Sequence, residues 1–213
     1  MAEVLITLGI IGVVAIMTIS VIQSIVFDAE QKADYKKAYA ILYSVILKVK
    51  NDAGYQMDCY YPTSGGNAIK TECTEFYAQL ATELSVIKFC LNNAYSGGCV
   101  ADYRGIDTVI PAQSAGTITS YSGFNESNIK ISNPAYVLAD GMILFPYGYG
   151  VNNVFPIFAI DINGQNKPNK WGYDIFIFKI SSNLDLTKLI FSGTSWPETG
   201  GKTDAQMFQD AFK

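Results

Sequence analysis

Residues 4–27 read VLITLGIIGVVAIMTISVIQSIVF, and residues 28–53 continue as DAEQKADYKKAYAILYSVILKVKNDA. The first stretch carries no charge, and Glu3 stands immediately ahead of it. The second has helical period. Tyr35, Ala38, Tyr39, Leu42, Val45, Ile46 and Val49 recur at intervals of three and four, while Lys36, Lys37, Lys48 and Lys50 take the opposite side. After Gly12, no Gly or Pro appears until Gly54. The pattern predicts one helix from the start of the chain to about Ala53, apolar first and amphipathic afterwards. At 1.5 Å per residue it is about 80 Å long, whereas a compact domain of this size is nearer 30 Å across. The second half buries a stripe against its own domain. The first half must project into lipid or against the same segment of other copies.

The apolar tract has the length to cross a bilayer. About 20 apolar residues span the hydrocarbon core, and residues 4–27 make roughly 36 Å of helix. Thr7, Thr18, Ser20, Gln23 and Ser24 are its polar interruptions, and hydroxyls can bond back to helix carbonyls. A cleaved signal peptide is the competing reading. No basic segment precedes the tract and no A-x-A-like site follows it, so the tract is expected to stay in the mature protein. Glu3 has two readings of equal weight. An acid in the first turn is favoured by the helix dipole. In a helical bundle it would instead neutralise the terminal amine of a neighbouring subunit and set the axial register.

Composition narrows the rest. The chain has 213 residues, 49% hydrophobic and 16% charged, which leaves roughly 150 residues for a globular region with a real core. A net charge of −4 and a pI near 4.8, without a basic run, argue against nucleic acid as a specific partner. The chain has no histidine. That removes Ser-His-Asp and Cys-His nucleophiles and His-bound zinc or iron. With no convergent acid pair either, no enzyme is expected.

Cys59, Cys73, Cys90 and Cys99 are clustered and lack C-x₂-C spacing. An even set beyond a hydrophobic segment indicates two disulfides in an oxidising compartment. The shortest loops pair Cys59 with Cys73 and Cys90 with Cys99. The alternative is four free thiols in a reducing cell. Lys32, Lys36 and Lys37 would favour the cytoplasmic side, but Asp28, Glu30 and Asp34 are interspersed with them. The cysteines decide, and the head is expected outside the inner membrane.

In the head, residues 74–95 are expected to form a second helix with Phe76, Tyr77, Leu80, Leu84, Ile87 and Leu91 on its buried face. Residues 96–133 read as a long surface loop with room for one short strand. Tyr136 to Ala139, Asp140-Gly141 and Met142 to Phe145 form a hairpin signature. Residues 154–160 and 174–180 are further strands, and 187–191 an edge strand. In 154–160 both faces are apolar, so one face should cover the helix and the other a second layer. Residues 203–212 form a terminal helix with Thr203 as N-cap. The fold class is therefore α+β, a long helix packed on an antiparallel sheet with a disulfide-bearing loop region. Tyr60, Tyr61, Tyr95, Tyr103, Tyr121, Tyr147, Tyr149 and Trp196 read as surface aromatics for adhesion or subunit contact, with ordinary domain packing as the alternative.

The segment from Ala2 to Ile19, AEVLITLGIIGVVAIMTI, closely resembles the amino-terminal segment of bacterial type IV pilins and type II secretion pseudopilins. The resemblance is specific over about 25 residues and architectural beyond them. It implies a pilin-like subunit that waits in the inner membrane with a periplasmic head. Pilus assembly machinery then packs it into an extracellular filament at the cell surface. Glu3 matches the family's registration acid. Val4, Leu5, Ile6, Leu8, Ile10, Ile11, Val13 and Val14 match its filament core. The partners implied are further copies of the chain, the membrane and the assembly machinery. Residues 1–27 would be the membrane and filament-core helix and 28–53 its amphipathic continuation. Residues 54–213 would be the head, divided into a loop region (54–133) and a sheet (134–213). Two departures stand out. Relatives have a few more residues ahead of the acid, usually opening on a methylated Phe after a basic leader. The expectation is that such residues precede Met1 or that Met1 lies inside the mature chain. Many relatives also carry Pro where this chain has Ser20, so less melting of the helix is expected on assembly.

The loop from Asp161 to Asp174 offers oxygens from Asp161, Asn163, Asn169 and Asp174, with Gly164 allowing a sharp turn. Calcium takes 6–8 such oxygens, and the spacing approaches an EF-hand without matching it. Some pilin-like proteins bind calcium in comparable loops. The competing reading is an Asx-turn loop closed by its own backbone, with no cofactor at all. Three functions follow: a filament subunit, a minor pseudopilin or tip subunit in secretion or DNA uptake, and a membrane-anchored periplasmic binding module.

Overall fold

The computed structural model describes residues 2–53, 71–109, 123–146, 157–180, 189–191 and 197–213. Helix α1 runs unbroken over Ala2–Ala53. Helix α2 (Thr71–Glu83) follows, then strand β1 (Val86–Cys90), a short helix α3 (Ile106–Val109) and a π-helical turn (Asn128–Ser132). Strands β2 (Ala135–Leu138), β3 (Ile143–Pro146), β4 (Ile157–Asp161), β5 (Ile175–Ile180) and β6 (Leu189–Phe191) come next, and helix α4 (Asp204–Phe212) closes the chain. The six strands pair antiparallel in chain order, so the sheet is a meander with β1 and β6 at its edges.

Strands β3, β4 and β5 are apolar on both faces because both faces are covered there. Within β4, Phe158 and Ile160 point to one face and Ile157 and Ala159 to the other, and all four are buried. The first face carries α1. Tyr35, Ala38, Leu42, Val45, Ile46 and Val49 pack there with Leu80 and Leu84, with Met207 and Ala211 of α4, and with Phe158, Phe176 and Phe178 of the sheet. The Tyr35 ring meets Phe176 edge-on at 5.0 Å and stacks on Phe178 at 5.8 Å. The stripe expected from periodicity is thus the stripe that is buried.

The hairpin forms where Asp-Gly predicts it, with Tyr136 opposite Leu144 and Val137 opposite Ile143. Gly141 takes φ +90°, which only glycine adopts without strain. The Met142 N–H donates to Asp140 Oδ1 (3.2 Å), and Lys37 reaches Asp140 Oδ2 (3.2 Å) to tie the hairpin tip to α1. Helix α4 opens on a capping box. The Gln206 N–H donates to Thr203 Oγ1 (3.2 Å) while the Thr203 N–H donates to Gln206 Oε1 (2.9 Å).

Two expectations are corrected. The second helix does not reach residue 95. It ends at Glu83, Ser85 takes φ +53°, and residues 86–90 pair with β2 as an edge strand. Ile87 and Leu91, expected on a buried helical face, are therefore exposed, whereas Leu80 and Leu84 are buried as expected. A run of Val86, Ile87 and Phe89 favours a strand, and the left-handed Ser85 stops the helix ahead of it. Nor do residues 96–133 form a surface loop where they are described. Cys99, Val100, Tyr103, Ile106, Phe124 and Ile129 make a second core against Ile143, Phe145, Ile157, Ala159, Ile175 and Ile177. Tyr103, expected at the surface, is fully buried, and Tyr95 is exposed. Tyr60, Tyr61, Tyr121, Tyr147, Tyr149 and Trp196 lie outside the described residues.

Candidate functional site

Among the described residues, the head leaves the amino-terminal half of α1 largely uncovered. From Ile10 to Val26 its large apolar side chains, among them Ile10, Ile11, Val13 and Val14, are 47–73% exposed. Among the described residues it is the one helix long and apolar enough to cross a membrane. Two of its polar interruptions bond back within the helix. Thr18 Oγ1 donates to the Val14 carbonyl (2.9 Å) and Ser24 Oγ to the Val21 carbonyl (2.8 Å), so neither hydroxyl opposes transfer into hydrocarbon. A side chain added at Gly9 or Gly12 would meet nothing within 4 Å. The backbone is helical at Glu3, Val4, Leu5, Ile6 and Leu8, whose side chains lie outside the described residues.

The tract ends in an ionic clamp. Lys202 Nζ lies 2.6 Å from Asp28 Oδ1 and 3.0 Å from Asp210 Oδ2, and Lys32 Nζ lies 2.6 Å from Asp28 Oδ2. The hydrogen bond from Lys202 holds the Asp210 carboxyl below its usual range. One turn further, Gln31 Nε2 donates to the Tyr173 carbonyl. The clamp joins residues far apart in the chain, and no local pattern announced Gln31 or Lys202.

Asp161 and Asp174 are brought together at the end of β4 and the start of β5, and both are fully buried. Tyr103 Oη donates to Asp161 Oδ2 (2.6 Å) and the Asn163 N–H to Asp161 Oδ1 (3.1 Å). The Asn169 and Lys170 N–H groups donate to Asp174 Oδ2 and Oδ1, each at 2.6 Å. Burial pushes the Asp161 carboxyl well up, with the Asp174 charge adding to it, and burial raises Asp174 to about 6. Asn163 Nδ2 turns to the Lys167 carbonyl (3.3 Å), and Asn169 sits at φ +55°. Gly164, at φ +70°, is required because a Cβ there would lie 2.1 Å from the Gly141 carbonyl oxygen. The loop is thus a buckle that locks the β2–β3 turn, β4, β5 and the second core. Each oxygen of the two carboxylates accepts a protein donor, so the acids bond inward to the Tyr103 hydroxyl and to backbone amides. Among the described residues no three His, Cys, Asp or Glu side chains gather as metal ligands.

Cys90 and Cys99 form a disulfide that ties the end of β1 to the second core. Cys59, the expected partner of Cys73, lies outside the described residues. Compared with family models, with curated proteins and with solved structures, the chain has no significant match to any of the three.

Proposed function

We propose that this chain is the structural subunit of a type IV pilus-like filament, held in the inner membrane by α1 before assembly and polymerised through the same apolar helix. The observation that carries the proposal is the exposed apolar half of α1 beside a head with two cores of its own. Exposed apolar surface on this scale requires either lipid or like helices, and a subunit that moves from membrane to filament uses both in turn. The resemblance of residues 2–19 to pilin amino termini adds the identity of the second environment, and it gives Glu3 the role of registering one subunit against the next.

The test is Glu3→Ala. It should leave the head folded and the chain in the membrane while filaments are lost. Unchanged filament yield in that variant contradicts the proposal. A minor pseudopilin or tip subunit shares the same helix, and abundance separates the two, since a filament body must be plentiful.

A further inference from the structure

The end of the head facing the apolar tract is a preformed plate of two loops. Tyr173 Oη donates to the Thr199 carbonyl (2.9 Å), the Lys202 N–H to the Gly172 carbonyl (2.8 Å) and the Glu198 N–H to the Trp171 carbonyl (2.9 Å). Trp171 is buried and its Nε1 donates to the Arg104 carbonyl (2.8 Å), which anchors the plate in the second core. Lys170, Thr199 and Gly200 are exposed, and Lys170 Nζ stands 5.7 Å from the Tyr173 ring centre.

The height of this plate along α1 is fixed by two contacts. Lys202 is held at Asp28, the residue after the apolar tract, and Tyr173 is held at Gln31. Other head contacts fall further along the helix, with Phe176 at Tyr35, Asp140 at Lys37 and Glu83 at Lys48. The plate therefore begins within about 6 Å of the last apolar residue, Phe27, at 1.5 Å rise. The polar layer of a bilayer adds roughly 5–8 Å on each side of the hydrocarbon. A tract a few ångströms longer than the core tilts to fit, which brings one side of the plate closer still.

We propose that residues 170–173 and 197–202 are a phospholipid-headgroup contact surface, with Lys170 and the Tyr173 ring seated in the polar layer while the subunit is in the membrane. Aromatic rings and lysines are the side chains that suit this layer, being apolar at one end and wet at the other. Lys202 is already neutralised by Asp28 and Asp210, and exposed Lys170 is the plate's other cation, with Glu198 its acid. The contact would limit tilting of the head and α1 together relative to the membrane plane. This inference rests on residues 4–27 lying in a bilayer.

The full chain in nanodiscs of phosphatidylethanolamine and phosphatidylglycerol, doped with a lipid carrying a gadolinium chelate on its headgroup, provides the test by amide NMR. Amides of residues 170–173 and 199–202 should lose most of their intensity. The amide of Glu83, about 30 Å further along α1, should keep its own. If residues 27–28 are broadened while residues 170, 199 and 200 keep their intensity, the head stands clear of the membrane and the inference fails alone. If residues 10–26 are untouched as well, the helix is outside the bilayer and the parent reading fails with it. A plate untouched by the lipid chelate yet shielded from a water-soluble one is covered by a second copy, which also overturns the inference.

Discussion

Lys202 Nζ lies 2.6 Å from Asp28 Oδ1, so the segment leading into the last helix grips the first helix at the residue where its apolar tract ends. Asp28 also receives Lys32, and Lys202 also receives Asp210. A network of four charges at this point fixes where the head sits relative to the projecting half of α1.

Replacing Lys202 with Met should therefore loosen the grip. Asp28 is 40% and Lys202 28% exposed, so solvent screens the pair and the expected loss is about 0.5–1 kcal/mol. Denaturant titration of the detergent-solubilised chain reads the loss. High salt should shrink the difference between wild type and variant. A salt-independent difference would mean that packing of the lysine stem, and not charge, holds the segment.

Tyr103→Phe removes the hydroxyl that donates to Asp161 inside the second core. Leaving a buried carboxylate oxygen short of a donor costs about 1–3 kcal/mol. The same substitution at exposed Tyr95 should cost almost nothing. Equal effects at the two positions would show that the Tyr103–Asp161 bond contributes little to stability.

Stability should fall as pH rises from about 4 to about 6. Asp174 has a folded pKa of about 6, above the ordinary carboxylate value near 4. Between those values the folded state holds more protons than the unfolded one, so each step upward in pH favours unfolding. Burial of Asp161 acts in the same direction. Asp174→Asn cannot ionise, and subtracting its pH–stability curve from that of wild type isolates the Asp174 share. A difference curve that rises with pH over this window would reverse the assignment.

Calcium should leave the melting temperature unchanged, because protein donors already occupy the oxygens of Asp161 and Asp174. Differential scanning fluorimetry with millimolar calcium and then with chelator measures this. A rise of several degrees that Asp161→Asn abolishes would mean that the loop reopens around the ion.

Legibility followed the range of the interactions. The buried stripe of α1 was readable because helical period is local, and the Asp140-Gly141 turn because its backbone demands glycine. The alternating faces of β4 were readable for the same reason, since strand period is two. The break after Glu83 was not, because Leu84, Ile87 and Leu91 continue a helical spacing, and what ends it is a left-handed Ser85 together with pairing to β2. The second core was hidden because Tyr103, Phe124 and Ile129 lie among Gly, Ser and Asn. Their burial depends on strands more than ten residues later in the chain. The Lys202–Asp28 and Gln31–Tyr173 contacts had no sequence signature for a like reason, their partners lying 174 and 142 positions apart in the chain. The buckle's residues were readable as a set of polar ligands, but not the direction of their hydrogen bonds, which turn inward to Tyr103 and the backbone.

The most direct test of the central claim is to shear cells that make this protein and image the released material by electron microscopy, labelled with an antibody against residues 54–213. The account predicts thin filaments labelled along their length in the wild type and none in Glu3→Ala cells. Label confined to the membrane fraction, with no filaments in either strain, would contradict it and leave α1 as an anchor only.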